Sequence, residues 1–582
     1  MKKLFITCLA ALGVSAMMGQ TAVTPDATGM DMDAQAWTRD VRMGWNLGNA
    51  LESAGADWDD ASGTWKNVWV ADYNQWETAW GNPKTTRAMI QAVAQAGFNA
   101  IRVPVRWVPH ITDYTSMNID PVWIARVKEV VDWCLDEGLY VVLNTHHELW
   151  LEHFPYNNSQ VEVNRKLKAL WTNIATYFRD YGEKLIFAAI NEVQVNWQSP
   201  TTENQTVQNS FLQTFVDAVR ATGGKNYYRN LVVQTYSCSP YYGLNGLTVP
   251  ADVVENRLSV EFHYYDPYDY CSGATGSYYY WGKEFQNEGT ISPSGNEQTI
   301  KNLFKQVSKK WMAQGLGVVI GEYGVSNHYQ SANQSVQQEN MKYYLSTLVS
   351  EARKHGFAAF VWDNNAFGNG SEKFGIFDRN NNMSVRNTYF LEGIQQGSLA
   401  EYEESSGEDE TDPGTGGKVL WSGDELLDWN HGLQLTISAS DFEEAGEGCK
   451  LVLYYSQHNA DYEDLQLFYG DWSVMVTYSV QGNDYVGDFF PRDYYGSSDA
   501  TLFTAFEFSP AVYQLLCQKG MVIQGHGLNL TKAVLVSTTT GINGVQVDAL
   551  DGTDGSAYLL NGMKAPNHYH GIVIQNGRKT IK

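Results

Sequence analysis

The N-terminal part of this 582-residue chain alternates short apolar runs with longer amphipathic stretches, and this alternation restricts its fold more than any other feature. The eight candidate strands are Met43–Asn46, Ala100–Pro104, Tyr140–Thr145, Leu185–Ile190, Leu231–Thr235, Leu258–His263, Gly317–Gly321 and Ala358–Trp362. Helical periodicity fills most gaps between them, for example at Pro121–Glu137, Asn164–Tyr181, Asn204–Ala221, Glu297–Gln314 and Glu339–His355. This order predicts an α/β fold, a (β/α)8 TIM barrel over residues 35–397. A doubly wound open sheet is the alternative, weakened because no glycine fingerprint follows the first strand.

The composition changes after the predicted barrel. Residues 398–418 are acidic and rich in Gly, Ser and Asp with almost no apolar content, which predicts a solvated linker. Short strand-like runs bounded by Gly, Asn or Asp follow over residues 419–540, and one short helix is expected at Ser509–Gln518. This pattern is typical of an all-β domain of the jelly-roll or sandwich type. Two further strand-like runs in residues 541–582 predict a small β segment at the end.

The first 22 residues have the layout of a secretory signal peptide. Lys2 and Lys3 supply the positive charge, and an apolar stretch of about 15 residues follows, too short to be a good membrane span. We place the cleavage point between Ala16 and Ala22 and expect secretion through the periplasm to the medium or the cell surface. No other apolar run is long enough for a transmembrane segment.

Charge and composition narrow the classes of partner. Lys plus Arg number 40 against 65 Asp plus Glu, and the net charge of −25 argues against nucleic acid and anionic membranes. Aromatic residues make up 13% of the chain, and aromatic faces stack on sugar rings as well as filling cores. The cysteines beyond the leader are odd in number and fit no zinc pattern, so at least one is free. We expect no cofactor.

Two glutamates carry the strongest signal for chemistry. Glu192 follows the apolar run of IFAAINEV and Glu322 that of VVIGEYG, so each stands at the C-terminal tip of a predicted strand. A carboxylate is costly to place beside a core, and in an α/β barrel these tips form the active face. Two such carboxylates are the minimum equipment for breaking a glycosidic bond. For either residue alone, a solvent-facing charge is the ordinary alternative.

Polar and aromatic residues also end most of the other strands. They are Arg102 on the second strand, His146 and His147 after the third, Asn191 beside Glu192, His263 and Tyr265 at the sixth, and Trp362 on the eighth. A lone histidine at a strand end is usually structural, but convergence of six strand ends on one face favours an active site. A metal site at His146, His147 and Glu148 is the alternative, and no metal is expected because the spacing is unlike that of zinc sites.

Several motifs surround these strand ends. They are GWNLGNAL (Gly44–Leu51), ETAWGNPKTT (Glu77–Thr86), GFNAIRVPVRW (Gly97–Trp107), NTHHE (Asn144–Glu148), INE (Ile190–Glu192), HYY (His263–Tyr265), GEYG (Gly321–Gly324) and WDN (Trp362–Asn364). In this order the set resembles glycoside hydrolase family 5, most closely its endo-β-1,4-glucanases, over residues 40–395. Two departures bear on the floor of the pocket: Val193 stands where the family usually has proline, and Ile186–Ala189 replaces the usual Phe-Glu.

The resemblance implies an endo-acting, retaining hydrolase that cleaves internal β-1,4-glucosidic bonds in cellulose-like β-glucans by double displacement. Glu192 would be the general acid/base and Glu322 the nucleophile. The other implied roles are Arg102 and Tyr265 holding Glu322, Asn191 binding the sugar 2-hydroxyl, His146 and His263 orienting carboxylates and hydroxyls, Trp362 forming a sugar platform, and Asn46 and His147 touching substrate hydroxyls more weakly.

Two loops and the C-terminal part refine this reading. Glu52–Trp80 and Pro267–Trp281 are rich in aromatic residues and predict a long open cleft with several sugar subsites, although half of these aromatics are expected in the core. The β domain resembles accessory domains of secreted Bacteroidetes polysaccharidases. It is either a structural spacer or a glycan-binding unit acting through Trp421, Trp429 or Trp472. Residues 541–582 resemble a C-terminal sorting segment of such bacteria.

Two alternatives for function stay open at this point. The same mechanism on xyloglucan, mixed-linkage glucan or glucomannan is one, because loop aromatics do not separate these polymers. A catalytically silent glycan-binding protein is the other, and the presence of both glutamates argues against it. The expected partner is a β-glucan polysaccharide, and the expected state is a monomer.

Overall fold

The computed structural model describes residues 23–53, 56–59, 64–67, 76–403, 413–429, 432–457, 464–480, 483–486, 488–489, 502–537, 557–558, 572–575 and 578–581. The predicted signal peptide and its cleavage point lie outside the described residues, as do residues 404–412 of the predicted linker. Within the described ranges, no helix has both the length and the apolar character required to cross a membrane.

Eight parallel strands close into a barrel, which confirms the predicted fold class. The strands are β1 (Gly44–Asn46), β2 (Ala100–Val103), β3 (Tyr140–Asn144), β4 (Leu185–Ala188), β5 (Leu231–Gln234), β6 (Leu258–Tyr264), β7 (Gly317–Tyr323) and β8 (Ala358–Val361). Each strand pairs with its successor, and β8 returns to β1, where Phe360 lies opposite Gly44. The open-sheet alternative is wrong because this ring is closed.

One helix precedes the first strand and covers the N-terminal end of the barrel, and the others follow strands and cover its outside. They are α1 (Ala34–Asp40), α2 (Arg87–Gln95), α3 (Pro121–Asp136), α4 (Asn157–Tyr177), α5 (Thr202–Ala221), α6 (Pro240–Gly246), α7 (Glu297–Lys310), α8 (Gln334–Lys354) and α9 (Thr388–Gly397). The start of α5 is fixed by a capping box, in which Thr201 accepts from the backbone N–H of Asn204. Helices α4 and α8 begin earlier than predicted because their first turns are polar and carry no apolar period.

The interior of the barrel is apolar at one end and polar at the other. Trp37 of α1 is fully buried at the N-terminal end and packs with inward-facing residues of the strands, among them Ala100, Val142, Val232 and Val319. The next inward layer toward the C-terminal ends is polar and fully buried, and it contains Asn46, Arg102, Gln234 and Glu261. Buried polar groups require partners, and side chains of this layer hydrogen-bond to one another.

The C-terminal part forms antiparallel sheets, as predicted. The six-stranded sheet contains Lys418–Leu427, Leu528–Val536, Lys450–Gln457, Leu502–Glu507, Thr477–Val480 and Asn483–Val486, in that order. The four-stranded sheet contains Leu435–Ile437, Met521–His526, Asp464–Tyr469 and Asp488–Phe489. Residues of both sheets share one core, for example Leu451 and Leu465, which is the arrangement of a β-sandwich.

The helix predicted at Ser509–Gln518 lies at Pro510–Lys519. The last segment holds a three-stranded antiparallel sheet of Ala557–Tyr558, Ile572–Gln575 and Arg578–Ile581. The five cysteines of the described chain are all free thiols, and four of them are buried.

Candidate active site

The two glutamates from the ends of β4 and β7 meet at the C-terminal mouth of the barrel. Glu192 follows β4 by four residues, and its side chain is 24% exposed. Glu322 is the penultimate residue of β7, and its side chain is 8% exposed. One carboxyl oxygen of each lies within 4.8 Å of the other and of a ring nitrogen of His263. The site therefore presents one partly accessible and one buried carboxyl group at short range.

Arg102 is the centre of the polar layer beneath these glutamates. Its Nη1 donates to Glu322 Oε1 at 3.0 Å and to Asn46 Oδ1 at 3.1 Å. Its Nη2 donates to Asn191 Oδ1 at 2.8 Å and lies 3.0 Å from Glu261 Oε1. A guanidinium presents its donors in a fixed planar fork, so one fully buried side chain orients four partners from four strands or strand ends.

The buried carboxylate of Glu322 has donors on both oxygens. Tyr265 O–H donates to Oε2 at 3.0 Å, opposite the Arg102 contact on Oε1. Burial raises the pKa of Glu322, and the charges of His263 and Arg102 and the Tyr265 hydrogen bond oppose that rise. Hydrogen bonds from charged or aligned donors fix both the charge and the orientation of a carboxylate, as a nucleophile requires.

An irregularity in the sheet sets the direction of Glu322. The β6–β7 register shifts between Phe262 and His263, so that His263 lies opposite Glu322. The β7–β8 register is also irregular, between Ile320 and Tyr323. A bulge of this kind re-aims side chains near active sites, and here it lies at the residue before Glu322, which is Gly321.

His263 faces carboxylates from both of its ring nitrogens. Nδ1 lies 2.7 Å from Glu192 Oε1 and 3.6 Å from Glu322 Oε2, and Nε2 lies 3.3 Å from Glu261 Oε1. Burial alone lowers the pKa of His263, but its anionic neighbours outweigh burial and leave the pKa well above its ordinary value. Burial raises the pKa of the adjacent Cys238 thiol to about 12, so this thiol is uncharged at neutral pH. The carboxylates are therefore the neighbours that raise the pKa of His263. His263 is therefore an imidazolium.

The other two predicted histidines are neutral. Burial is the main cause that holds the pKa of His146 well below its usual value, and the charge of Arg102 acts in the same direction. Burial, followed by the charge of Arg106, lowers the pKa of His147 to about 3. Asn144 Nδ2 lies 3.2 Å from His146 Nδ1, which leaves Nε2 as the N–H donor of that ring. The His146 ring lies parallel to Trp362 at 6.0 Å between centroids, and His147 packs edge-on against Trp80.

Asn46 does not reach the cleft, which corrects the expectation that it touches substrate. Its side chain is fully buried, and Nδ2 donates to the carbonyl oxygens of Gly321, Phe360 and Val361. Its Oδ1 accepts from Arg102. All of its hydrogen-bonding capacity is used on neighbouring strands and on Arg102, so its place is in the support of the site.

The described aromatic residues of the two loops divide between the core and the surface. In the loop after β6, Tyr270, Tyr280 and Trp281 are buried in the core, and Tyr268 is exposed. In the loop after β1, Trp76 is buried and Trp80 is exposed. The side chains of Trp58, Trp65 and Trp69 lie outside the described residues. The sequence alone does not distinguish buried aromatic residues from sugar-facing ones, because the two have the same local composition.

Glu261 is a site residue that the sequence reading missed. It lies inside β6 in the run VEFHYY, and its side chain is fully buried. Alternation of side chains along a strand places residues 261 and 263 on the same face, and this was the available signal. Glu152, also missed, is a second buried carboxyl group nearby. Burial, and then the charges of Glu192 and Glu148, raises its pKa to about 8, so it is protonated at neutral pH.

Glu192, His263 and Glu322 are also the group with ligand atoms close enough to hold a metal ion in the described part of the chain. Metal binding requires a neutral imidazole, whereas both ring nitrogens of His263 face carboxylates and the ring is charged. Arg102 further adds positive charge directly beneath the group. The electrostatics therefore favour a proton-transfer and nucleophile site over a metal centre.

Comparison with known proteins gives one family. The profile described as cellulase (glycosyl hydrolase family 5) matches residues 60–368, a range that includes strands β2 to β8. A xyloglucan-specific endo-beta-1,4-glucanase from Bacteroides ovatus is 34% identical over 351 residues, covering 59% of this chain and 67% of the relative. Endoglucanase A from Ruminococcus albus is 33% identical over 360 residues, covering 60% of this chain and 89% of the relative.

A solved structure from the same family is also similar to this chain. A Bacteroides ovatus GH5 xyloglucanase in complex with a XXXG heptasaccharide aligns with a TM-score of 0.58 at 31% identity. The alignment covers 65% of this chain and 79% of the other.

Proposed function

Since this chain belongs to glycosyl hydrolase family 5 and is an endoglucanase-type glycoside hydrolase, we propose that it cleaves internal β-1,4 bonds of cellulose-like β-glucans with retention. The observation that carries the mechanism is the spacing of Glu192 and Glu322, whose carboxyl oxygens lie within 4.8 Å. Retaining glycosidases hold their carboxyl groups about 5–5.5 Å apart, and inverting enzymes about 6.5–9.5 Å apart to admit a water. The short spacing supports double displacement.

Glu322 is the nucleophile in this proposal. Its Oε1 and Oε2 accept from Arg102 and Tyr265, which stabilise the ionised form and fix its orientation. It attacks the anomeric carbon and forms a covalent glycosyl-enzyme as the bond to the leaving oxygen breaks. Its low exposure keeps water from competing with the sugar before the intermediate forms.

Glu192 is the general acid and then the general base. It is the more exposed of the two carboxyl groups, as expected for a residue that exchanges a proton with the leaving sugar and then with water. His263 holds it from one side through the 2.7 Å contact between Nδ1 and Oε1. Protonated Glu192 gives its proton to the leaving oxygen, and the resulting carboxylate deprotonates the water that releases the second product.

Three neighbours orient the sugar at the cleavage point. Arg102 fixes the Asn191 amide by donating to its Oδ1, which suits Asn191 for binding the sugar 2-hydroxyl. His146 is a neutral N–H donor in the same mouth. Trp362, at the end of β8, supplies a flat apolar face for the sugar ring.

The proposal is tested by reducing-sugar release from carboxymethylcellulose, lichenan, xyloglucan and glucomannan. We expect release by the wild-type chain with a rapid fall in viscosity, and a loss of roughly 10³-fold or more in Glu322→Gln. The matched control is Glu129→Gln, which changes a carboxylate that is half-exposed on the outer helix α3 and keeps wild-type activity. No release from any polymer, or full activity in Glu322→Gln, refutes the assignment.

Two further readouts separate the roles of the glutamates. The first product examined by proton NMR has the β configuration if the enzyme retains, and the α configuration overturns double displacement. Glu192→Gln loses activity on polysaccharides but forms the glycosyl-enzyme with 2,4-dinitrophenyl β-cellobioside, because that leaving group needs no proton. Absence of the initial burst of dinitrophenolate, which marks formation of the glycosyl-enzyme, in Glu192→Gln contradicts an acid role for Glu192.

Xyloglucan is the second candidate for the main polymer. The observation that favours it is the similarity to a xyloglucan-specific endo-beta-1,4-glucanase and to a GH5 xyloglucanase, both from Bacteroides ovatus. The same four-polymer assay decides between the two, since a xyloglucan enzyme gives a kcat/KM at least about tenfold higher on xyloglucan than on carboxymethylcellulose.

We propose that the β-sandwich after the linker binds glycan through Trp472, and that the chain is secreted because its polymer substrates lie outside the cell. Trp472 is 45% exposed and has a φ of 59°, a conformation that non-glycine residues adopt only where the surroundings impose it. Its ring packs 5.1 Å from Phe468 and presents the remaining face to solvent. Trp421 instead packs against the core of the sandwich, and Trp429 stacks on His526.

A further inference from the structure

A third carboxylate lies beneath the two glutamates of the site. Glu261 is fully buried on β6, two residues before His263 on the same face of the strand. Its Oε2 accepts from Gln234 Nε2 at 2.9 Å. Its Oε1 lies 3.0 Å from Arg102 Nη2 and 3.3 Å from His263 Nε2. One buried carboxylate thus bridges the two cations that contact Glu322 and Glu192.

The neighbouring strand leaves space for this carboxylate. Gly321 lies on β7 beside it, and a Cβ atom at that position would overlap Glu261 Oε1. A buried charge is tolerated only where its pairing is complete, and here Arg102, His263 and Gln234 supply it. Burial raises the pKa of Glu261, but Arg102 and His263 outweigh burial and hold that pKa below its usual value. Glu261 is therefore an anion, and it occupies the space that the missing side chain of Gly321 leaves.

We infer that Glu261 is a positioning residue that holds Arg102 against Glu322 and keeps His263 charged against Glu192. This inference rests on the roles proposed above for the two glutamates. Glu261 itself is buried under the site and touches no substrate. Its effect passes through the guanidinium of Arg102 on one side and the imidazolium of His263 on the other.

The charges of the groups around His263 predict how the loss of Glu261 changes protonation of the site. The groups around His263 are Glu192 after β4, Cys238 after β5, Glu261 on β6, Glu322 on β7, Arg102 on β2 and His146 after β3. Before the first step Glu192 holds its proton, so the anions Glu261 and Glu322 balance the cations Arg102 and His263. Removing the charge of Glu261 leaves an excess positive charge, which makes the proton on His263 easier to lose.

The test is the pH dependence of kcat and KM for Glu261→Gln on the best polymer of the assay above. The alkaline limb reports loss of the proton that the active form needs, so we expect it to move to lower pH by about 1 unit or more. We expect kcat to fall about 10- to 100-fold, with a smaller change in KM, because Glu261 acts on the reacting groups and not on binding. The nitrogen NMR signals of the His263 ring, assigned with His263→Asn, are expected to leave the imidazolium position at a lower pH than in the wild type.

The matched control is Asp252→Asn. Asp252 is also a buried carboxylate paired with an arginine, through two contacts of 2.8 and 2.7 Å to Arg220, but it precedes β6 at the opposite end of the barrel. We expect Asp252→Asn to lower the unfolding temperature and to keep the wild-type pH profile. An equal shift in both variants, or a wild-type profile and an unchanged kcat in Glu261→Gln, overturns the inference.

A second variant keeps the test decisive if Glu261→Gln does not fold. Glu261→Asp retains the charge but withdraws the carboxylate by one methylene from Arg102 and His263, and we expect a smaller shift of the alkaline limb in the same direction. A wild-type limb and kcat in that variant reject the positioning role. Failure of the proposed function is a separate result, namely a wild-type chain that releases no sugar or a Glu322→Gln variant that stays active.

Discussion

At the scale of single residues, the site is organised around one buried arginine. Arg102 contacts Glu322, Glu261, Asn191 and Asn46, each at about hydrogen-bond distance. A buried cation is costly unless its surroundings complete its pairing, and these partners do so. The same contacts set the position of Glu322, the proposed nucleophile, so the stability of the polar layer and the geometry of the proposed reaction have a common origin.

A substitution at Tyr265 tests the contribution of its hydrogen bond to the orientation and ionisation of Glu322. Tyr265→Phe removes the O–H that donates to Oε2 at 3.0 Å, and a hydrogen bond to a charged group contributes about 1.5–3 kcal/mol. We expect kcat/KM to fall roughly 10- to 100-fold. This O–H opposes the burial that raises the pKa of Glu322, so its loss raises that pKa further. The acid limb of the pH profile therefore moves to higher pH.

Initial rates across pH measure this shift. Tyr177→Phe is the control, since Tyr177 is exposed at the end of α4 and its hydroxyl lies away from the barrel mouth. An acid limb that stays in place in Tyr265→Phe would show that Arg102 and His263 alone set the ionisation of Glu322.

At the scale of elements, short irregularities in β6 and β7 decide which side chains meet. The shift between Phe262 and His263 brings His263 opposite Glu322. A regular register would place a different residue there, because a one-residue slip sends every later side chain to the other face of the strand. Gly321 fits this arrangement because any larger residue would meet Glu261.

Helix α1 closes the other end of the barrel, and its Trp37 gives a prediction about stability. Trp37 is fully buried against the inward-facing apolar layer. We expect Trp37→Ala to lower the free energy of unfolding by about 3–5 kcal/mol, because it leaves a cavity at the closed end. Urea unfolding followed by tryptophan fluorescence measures the change.

The comparison for this prediction is Val161→Ala on α4, where the side chain is highly exposed. A change within about 0.5 kcal/mol is expected there. A cost below about 1 kcal/mol for Trp37→Ala would mean that the N-terminal end of the barrel collapses around the missing ring.

At the scale of the whole molecule, the described chain contains two folded units, the barrel and the β-sandwich. Helix α9 ends at Gly397, and the first strand of the sandwich begins at Lys418. Both units have separate apolar cores, which is the property of independent domains. Under the proposed function, the sandwich binds the polymer that the barrel cleaves.

A substitution at Trp472 tests the proposed binding of glycan by the sandwich. In the Glu322→Gln background, which leaves the polymer intact, we expect Trp472→Ala to weaken retention on insoluble β-glucan roughly 2- to 10-fold, because one aromatic contact is lost. Depletion of protein from solution measures the affinity. Val474→Ala is the control, an exposed apolar residue two positions along the same turn. Equal retention in both variants would leave the sandwich with the role of a spacer.

The sequence by itself determined the barrel, the sandwich and the strand-end position of Glu192 and Glu322. These follow from local patterns, because hydrophobic periodicity and the polar residue that ends an apolar run are both written within a few residues. The bridging role of Glu261, the support role of Asn46 and the division of the loop aromatics into buried and exposed were decided only by the tertiary structure. They depend on the register and bulges of strands distant in sequence, which set the side chains that meet inside a closed barrel.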